Sequence, residues 1–176
     1  MATRRISAAL LVASSLAMAG PALAGAPEPA APVDAARFYE GRWLEVGRRP
    51  MGITKGCVAG ATDYARRPDG KIAVRDTCRQ GSVTGKERAI SGVGTLRDPG
   101  TNAKLSVRYN ALITWDYLVL DHDPDYQWFI SADPKFKNVF LYTRQAPSKD
   151  LLDQMTRRAT ELGYDPAKIE YPQVAP

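Results

Sequence analysis

Residues 104–121, KLSVRYNALITWDYLVLD, determine the fold class. Within them, residues 105–109 alternate apolar and polar side chains, which places the apolar ones on one face of a strand and the polar ones on the other. Residues 115–121 are apolar on both faces, so another element must cover one of these faces. The short connection between the two runs indicates an antiparallel pair.

Runs of the same kind precede and follow this pair. We predict eight strands, at residues 42–49, 57–65, 71–79, 86–97, 104–110, 115–121, 126–132 and 138–144. Turn-forming residues separate them, as in RPDG at 67–70 and DPG at 98–100. The connections are short and no helices alternate with the strands, so the sequence predicts an all-β fold with antiparallel neighbours.

One helix is predicted near the end of the chain, at residues 148–162. Ser148 is suited to cap its start, and Gly163 follows its end. Its apolar stripe consists of Leu151, Leu152, Met155, Ala159 and Leu162. An open eight-stranded meander would expose two sheet edges, so we predict a closed up-and-down barrel with this helix packed outside.

The N-terminal region predicts export. Residues 1–24 combine Arg4 and Arg5, an apolar run and Ala-Leu-Ala at 22–24, which are the features of a secretory signal peptide. Residues 25–32, GAPEPAAP, are predicted to form a disordered linker, and residues 33–176 the barrel domain. We expect a periplasmic or secreted protein, soluble after signal cleavage. It is not expected to be lipid-anchored at the N-terminus, because its first cysteine is Cys57.

The composition narrows the function classes. The chain has 176 residues, of which 44% are hydrophobic and 24% charged, and this is typical of one soluble globular domain. The formal net charge is +5, but the Lys and Arg residues are scattered along the chain. We therefore do not expect a nucleic-acid partner.

The chain has two cysteines, Cys57 and Cys78. In an exported protein their simplest arrangement is one disulfide, here near the open end of the barrel. A hairpin turn centred between Arg67 and Pro68 would place the two cysteines opposite each other. Two free buried thiols and a reactive catalytic thiol are the alternatives.

Three motifs occur in order along the predicted strands: GRW at 41–43, DHDPDYQWFI at 121–130 and LYTRQAP at 141–147. With the terminal helix and the ELGYDPAKIEY at 161–171, they resemble the lipocalins. The resemblance is greatest to bacterial lipocalins of the outer-membrane type, which are relatives of apolipoprotein D. It runs from about Val33 to Tyr171 and implies a barrel that binds a hydrophobic ligand.

The resemblance assigns structural roles to Gly41, Trp43, Asp123, Asp125, Tyr126 and Arg144. Because strands of a meander alternate in direction, Trp43 on the first strand and Arg144 on the eighth lie at the same end of the barrel. The guanidinium is expected to stack on the indole there and close the floor. For Asp121, Asp123 and Asp125, turn capping is favoured over a calcium site, so no metal is predicted.

Strand alternation predicts which side chains line the interior. The predicted ligand-binding residues are Glu45, Leu105, Val107, Tyr109, Trp115, Tyr117, Phe140 and Tyr142, with plain core packing as the alternative for each. Gly47 is also predicted to face inward. The residues predicted to face outward beneath the helix are Leu44, Val46, Val139 and Leu141. For the Glu45 carboxylate, an internal Tyr or Arg partner is favoured over ligand recognition.

The mouth of the barrel is predicted at residues 48–56, 80–85, 111–115 and 133–137. Its loops carry apolar and cationic side chains side by side, namely Met51, Ile53, Leu112, Ile113, Trp115, Phe136, Arg48, Arg49, Lys55, Lys135 and Lys137. We hypothesise that this mouth contacts anionic membrane surfaces. Ordinary solvated loops are the alternative.

The sequence therefore predicts a carrier of a small hydrophobic ligand, such as a fatty acid, a lysophospholipid or a similar lipid. Membrane lipid storage, transport or maintenance would be its role. We predict no cofactor and no catalytic residue. The alternatives are an isomerase-like enzyme on the same barrel, which would use a thiol, and an interaction module whose mouth loops bind a protein.

Overall fold

The computed structural model describes residues 25–175, so the predicted signal peptide, residues 1–24, lies outside the described residues. The strands are β1 Gly41–Arg48, β2 Cys57–Arg66, β3 Ile72–Gln80, β4 Glu87–Leu96, β5 Lys104–Arg108, β6 Thr114–His122, β7 Trp128–Ala132 and β8 Val139–Thr143. The helices are α1 Ala35–Phe38 and α2 Lys149–Glu161, and single 3-10 turns lie at Gly52–Thr54 and Pro166–Lys168.

The eight strands form one closed antiparallel barrel in sequence order. Closure comes from pairing of β1 with β8, where Leu44 lies opposite Thr143. The predicted fold class is confirmed, and every predicted strand end lies within two residues of the observed one. This agreement follows from the turn residues, which end each strand where the alternating pattern ends.

Helix α2 packs on the outside of the barrel, as predicted. The Ser148 hydroxyl accepts a hydrogen bond from the Leu151 backbone N–H, and Gly163 with a φ of +96° follows the helix. Met155 and Ala159 are buried against a cluster of outward-facing strand residues that includes Val46, Ile130, Val139 and Leu141. Leu44, Leu151, Leu152 and Leu162 pack at its margin. None of the helices within residues 25–175 has the length and apolarity needed to cross a membrane.

A short helix that we did not predict, α1, closes the floor of the barrel. Asp34 caps it by accepting hydrogen bonds from the backbone of Ala36 and Arg37. Phe38 at its end and the adjacent Tyr39 are both fully buried. The indole Nε1 of Trp43 donates to the Phe38 carbonyl at 3.2 Å, so the helix and the first strand are joined inside the floor.

Arg144 lies over Trp43, as predicted. Its guanidinium carbon is 3.6 Å from the centre of the indole ring. Its Nη1 donates to the carbonyls of Glu40 at 2.7 Å and Arg42 at 3.1 Å, and its Nη2 donates to the Arg37 carbonyl at 3.2 Å. The guanidinium therefore satisfies the last carbonyls of α1 and the first of β1 while it covers the ring.

The β6–β7 turn uses its carboxylates for capping. Asp123 Oδ2 accepts from the backbone N–H groups of Asp125 at 3.0 Å and of Gln127 at 3.1 Å. Asp121 binds Arg158 of α2 instead, and Asp125 lies 3.8 Å from Arg37. The three carboxylates thus serve different partners, and no metal-binding cluster occurs among residues 25–175.

Tyr126 in the same turn adopts a φ of +55°. Its hydroxyl accepts a hydrogen bond from the Asp34 backbone at 2.8 Å, next to the start of α1. The motif residue therefore connects the turn to the floor helix.

Residues 25–32, predicted as a disordered linker, form no helix or strand but lie against the barrel. Ala26 donates to the Pro134 carbonyl at 3.1 Å and Ala30 to the Leu120 carbonyl at 2.9 Å. Glu28 forms an ion pair of 2.6 Å with Lys104. The prolines of this stretch have no backbone N–H to donate, but Ala26 and Ala30 keep theirs and pair with carbonyls of the barrel.

A β-bulge changes the alternation of β1. Glu45 lies opposite Tyr142, but Gly47 lies opposite Leu141, so two residues of β1 face one of β8. The prediction that Gly47 faces inward is therefore wrong: a Cβ there would lie 2.6 Å from Cδ1 of Leu141, which packs under α2. The next side chain, Arg48, turns into the barrel.

Cys57 and Cys78 form a disulfide with a Cα–Cα distance of 5.5 Å. The predicted bond is confirmed, but the expected direct opposition is wrong, because Cys57 lies opposite Gln80 and Cys78 opposite Gly60. The register of this hairpin is centred on Asp69 and not between Arg67 and Pro68, because Arg66 lies opposite Ile72 and Gly60 opposite Cys78. Both free-thiol alternatives are thereby excluded.

Candidate ligand-binding site

A cavity of about 480 Å³ occupies the upper half of the barrel. It opens between the β1–β2 loop, which contributes Met51 and Ile53, and the β5–β6 loop, which contributes Ile113. The lower half is filled by an aromatic and aliphatic core around Phe38, Trp43 and Phe129. The barrel is therefore a calyx with a solid base and an open mouth.

Six of the eight predicted ligand-binding residues line this cavity: Glu45, Tyr109, Trp115, Tyr117, Phe140 and Tyr142. Leu105 and Val107 do not, because they are buried in the core beneath it. Strand β5 begins at the floor, so its first inward-facing side chains lie at the level of the core and only Tyr109 reaches the cavity. For Leu105 and Val107 the core-packing alternative is the correct one.

Arg48 joins Glu45 to the C-terminal segment through the barrel wall. Its Nη1 donates to Glu45 Oε1, its Nε to Glu170 Oε1 and its Nη2 to the Cys57 carbonyl, each at 2.6 Å. Arg48 is only 2% exposed. The internal partner expected for Glu45 is thus an arginine, one that we had predicted at the mouth. The β-bulge, which has no clear sequence signal, accounts for this difference.

Burial and pairing act in opposite directions on these charges. Burial raises the pKa of the Glu45 carboxyl, and the nearby Arg48 lowers it without cancelling the effect. For Arg48, burial lowers the pKa of the guanidinium, but Glu45 and Glu170 together raise it further. Arg48 therefore stays charged, with its positive charge shared between two carboxylates.

A second carboxylate, Asp76, lies in the cavity and was missed by the sequence analysis. Its Oδ1 accepts from Thr62 Oγ1 at 2.6 Å and its Oδ2 from the Tyr109 hydroxyl. The Tyr109 hydroxyl is 3.3 Å from that of Tyr117, and the Tyr142 hydroxyl is 3.3 Å from Thr62 Oγ1. We call Thr62, Asp76, Tyr109, Tyr117 and Tyr142 the polar ring. A signal for Asp76 existed, since Ile72, Val74 and Asp76 alternate on one face of β3.

The polar ring is electrostatically unusual. Burial raises the pKa of Asp76, and the hydrogen bonds donated by Thr62 and Tyr109 oppose that rise only in part. Burial also raises the pKa values of the tyrosine hydroxyls of the ring, with Asp76 as a further cause, so they remain neutral donors. The ring can therefore offer hydroxyl groups and one carboxylate to a bound molecule.

Apolar side chains form the upper wall and the mouth. The wall includes Met51, Ile90, Trp115 and Phe140. At the rim, Ile53 is 61% exposed and Ile113 38%, and the neighbouring Leu112 is 95% exposed.

Two residues predicted at the mouth lie elsewhere. Phe136 packs on Tyr164, with ring centroids 5.3 Å apart, and Arg48 is the buried residue described above. Arg49 remains near the rim, where its Nη1 donates to the Lys137 carbonyl at 2.9 Å.

Such an arrangement is suited to holding a molecule. His122, the only histidine in the chain, lies at the floor with Nδ1 2.9 Å from the Asp123 carbonyl. Both cysteines are bonded to each other. An apolar cavity with a few converging polar groups is the usual form of a small-molecule binding site.

The comparison with known proteins agrees with this geometry. A family model described as a lipocalin-like domain matches residues 33–174. The chain belongs to the lipocalin family. This lipocalin is 31% identical over 141 residues to temperature-induced lipocalin-1 of Arabidopsis thaliana, and the match covers 74% of each chain.

Solved structures show the same fold at low identity. Insecticyanin from the tobacco hornworm Manduca sexta is 14% identical, with a TM-score of 0.64 over 83% of each chain. Apocrustacyanin C2 is 13% identical, with a TM-score of 0.60 over 85% of this lipocalin and 91% of that chain. The amine-binding protein of Rhodnius prolixus, solved with tryptamine, is 12% identical, with a TM-score of 0.61 over 84% and 85%.

Proposed function

We propose that this lipocalin binds and carries a small hydrophobic molecule with its apolar body in the calyx. The observation that supports this proposal is the cavity of about 480 Å³, open at the mouth and apolar in its upper wall. A volume in the range of roughly 300–1,000 Å³ is usual for small-molecule sites. A single-chain lipid such as a fatty acid or a lysophospholipid fits this shape, and lipid storage, transport or membrane maintenance would be its use.

The driving force is the transfer of apolar surface out of water. Each buried methylene contributes about 0.8 kcal/mol, so a chain of about twelve gains roughly 10 kcal/mol before the cost of immobilisation. A dissociation constant of about 1 μM corresponds to roughly 8 kcal/mol. We therefore expect micromolar binding that strengthens with chain length and needs no covalent step.

Occlusion of the calyx tests this proposal. Ile90 lines the cavity and lies opposite Asp76, whereas Ser91 is exposed on the outer face of the same strand. We expect Ile90→Trp to weaken binding of the neutral fluorescent probe N-phenyl-1-naphthylamine by about ten-fold or more, and Ser91→Trp to leave it unchanged. Equal affinity in the two variants would refute binding in the calyx. Mass spectrometry of the protein purified without detergent would identify a co-purified ligand.

Contact of the mouth with an anionic membrane is a second proposal. It is supported by the exposed Ile53, Leu112 and Ile113 and by the exposed cations Lys55 and Lys137 on the mouth loops. Apolar side chains would enter the interface while the cations meet lipid headgroups. Co-sedimentation with vesicles that contain anionic lipid should exceed that with neutral vesicles, and Leu112→Ser should reduce it. Equal sedimentation with both vesicle types would remove the proposal.

Export to the periplasm or the exterior is proposed from residues 1–24 and from the disulfide, because disulfides persist in oxidising compartments. Mass spectrometry of the mature protein should give Gly25 as the first residue. The resemblance to bacterial lipocalins of the outer-membrane type supports the same location. An unprocessed N-terminus in the protein recovered from whole cells would count against it.

A further inference from the structure

We propose that Asp76 makes the base of the calyx selective for hydrophobic ligands that carry a protonated amine. The inference rests on the proposed function, since it names the polar group of the ligand that the calyx holds. It follows from three features of the site: an excess of negative charge, lone pairs of Asp76 that accept no hydrogen bond from the protein, and aromatic rings in the same cavity.

The first feature is the charge balance of the interior. Glu45 and Asp76 each contribute a negative charge and Arg48 one positive charge, which leaves an excess of one negative charge when all three are ionised. The three hydrogen bonds of the Arg48 guanidinium go to Glu45, Glu170 and the Cys57 carbonyl. Within residues 25–175 no Lys or Arg nitrogen lies within 4.0 Å of the Asp76 carboxylate. Asp76 therefore has neutral donors only.

The second feature is the acceptor capacity of Asp76. Thr62 supplies one hydrogen bond to Oδ1 and Tyr109 one to Oδ2. An ionised carboxylate has about four lone-pair positions, so about two stay available. A primary ammonium carries three N–H donors and one positive charge, and both properties match what Asp76 lacks.

Aromatic rings that line the same cavity as Asp76 provide the third feature. Tyr117 and Phe140 line the cavity with their centroids 6.0 Å apart, and Trp115 lies 6.3 Å from Tyr117. Ring faces attract cations more strongly when water is excluded. An alkylammonium at the polar ring would thus meet a carboxylate and aromatic rings, while its chain extends along the apolar wall towards the mouth.

The same charges disfavour an anionic headgroup at this depth. A carboxylate beside Asp76 and Glu45 would add a third negative charge with Arg48 already paired. The remaining cation among the cavity residues, Arg88, is exposed and lies opposite Cys78 near the rim. A fatty acid is therefore expected to keep its headgroup at the mouth.

Ligands of one chain length and different headgroups test the inference. We would measure displacement of N-phenyl-1-naphthylamine by decylamine, 1-decanol and decanoate near neutral pH. The wild-type protein should bind decylamine about ten-fold more tightly than 1-decanol, and decanoate less tightly than either. Asp76→Asn should abolish the advantage of the amine, so that the ratio of the decylamine affinity to the 1-decanol affinity falls to about one. Asp116→Asn, which removes an exposed carboxylate from the outside of β6, should keep that advantage.

The pH dependence provides a second measurement that needs no variant to fold. Protonation of Asp76 at low pH should remove the advantage of decylamine and leave 1-decanol unaffected. The titratable groups that act on Asp76 are Glu45, Asp63, Tyr64, Tyr109, Tyr117 and Tyr142, and Arg88 is a further charged residue of the cavity lining. Of these, Glu45 is the other carboxyl group that lines the cavity, and Glu45→Gln should retain the loss of amine affinity at low pH.

The possible outcomes separate the two proposals. Binding of 1-decanol with no preference for decylamine, or a preference that persists in Asp76→Asn, would overturn the inference and leave the carrier function intact. Absence of binding for all three compounds would overturn both. An amine advantage that is independent of pH would assign the selectivity to groups other than Asp76.

Discussion

The guanidinium of Arg144 lies 3.6 Å from the centre of the Trp43 ring, although 101 residues separate the two in the chain. Because Arg144 also donates to carbonyls of α1 and β1, one side chain joins the last strand, the first strand and the floor helix. The contact completes the floor where the two ends of the meander meet. The stability of the closed barrel should therefore depend on the shape of this group as well as on its charge.

Arg144→Lys should lower the free energy of unfolding by about 1–2 kcal/mol, because lysine keeps the charge but loses the planar stack and several donors. Urea denaturation measures the change. Arg157→Lys, on the exposed face of α2, is the matched control and should stay within about 0.5 kcal/mol of wild type. Equal effects of the two substitutions would show that the floor contact adds nothing to stability.

Arg48→Met should destabilise the protein by about 3–5 kcal/mol, because it leaves the Glu45 carboxylate in the barrel without its partner. The double variant, Glu45→Gln with Arg48→Met, also removes the unpaired carboxylate. It should recover a substantial part of the lost free energy of unfolding. Chemical denaturation of the two single variants and the double variant measures the coupling. Additive losses would contradict an interaction between the two side chains.

Stability should also depend on the protonation of Asp76. The raised pKa of Asp76 in the folded state means that the folded protein binds a proton more tightly than the unfolded chain does. The free energy of unfolding should therefore fall as pH rises from about 4, the ordinary range of Asp, through the raised value, and no further loss should follow above it. The Asp76→Asn variant should not show this decrease of the free energy of unfolding with rising pH. Denaturation curves of both proteins between about pH 4 and about pH 8 test the sign, and parallel profiles would refute it.

Loss of the disulfide should lower the free energy of unfolding by roughly 3 kcal/mol, given the sequence separation of 21 residues between the cysteines. The variant Cys57→Ser with Cys78→Ser should show this loss under oxidising and reducing conditions alike. Wild type should match the variant only after reduction. Thermal unfolding with and without reductant makes the comparison, and a reductant-insensitive wild type would contradict it.

Much of the fold could be predicted from the sequence because local signals and global closure agree. Turn residues end the strands, and the outward-facing Val46, Val139 and Leu141 match the apolar stripe of α2. The contact of Trp43 with Arg144 followed from strand direction together with the lipocalin-like motifs that contain the two residues. These features depend on periodicity, which is visible in one sequence.

The chemistry of the site was less predictable, because it depends on departures from that periodicity. The bulge after Glu45 reverses the direction of every later side chain of β1 and brings Arg48 inside, and nothing in LEVGRR marks it. Asp76 could have been found from the alternation in β3. The level in the barrel at which the packed core ends and the cavity begins could not be predicted. It depends on how Phe38 and Trp43 pack across the barrel.

The C-terminal segment contributes to the electrostatics of the calyx although it never enters it. Glu170, 122 residues after Arg48, balances part of the positive charge of the Arg48 guanidinium. Backbone hydrogen bonds hold the two residues side by side. A reporter fused directly after Ile169 would delete this carboxylate and alter the ligand site, whereas fusion beyond Val174 would retain it. Chimaeras that exchange tails between related barrels would likewise transfer part of the ligand preference with a stretch of chain that touches no ligand.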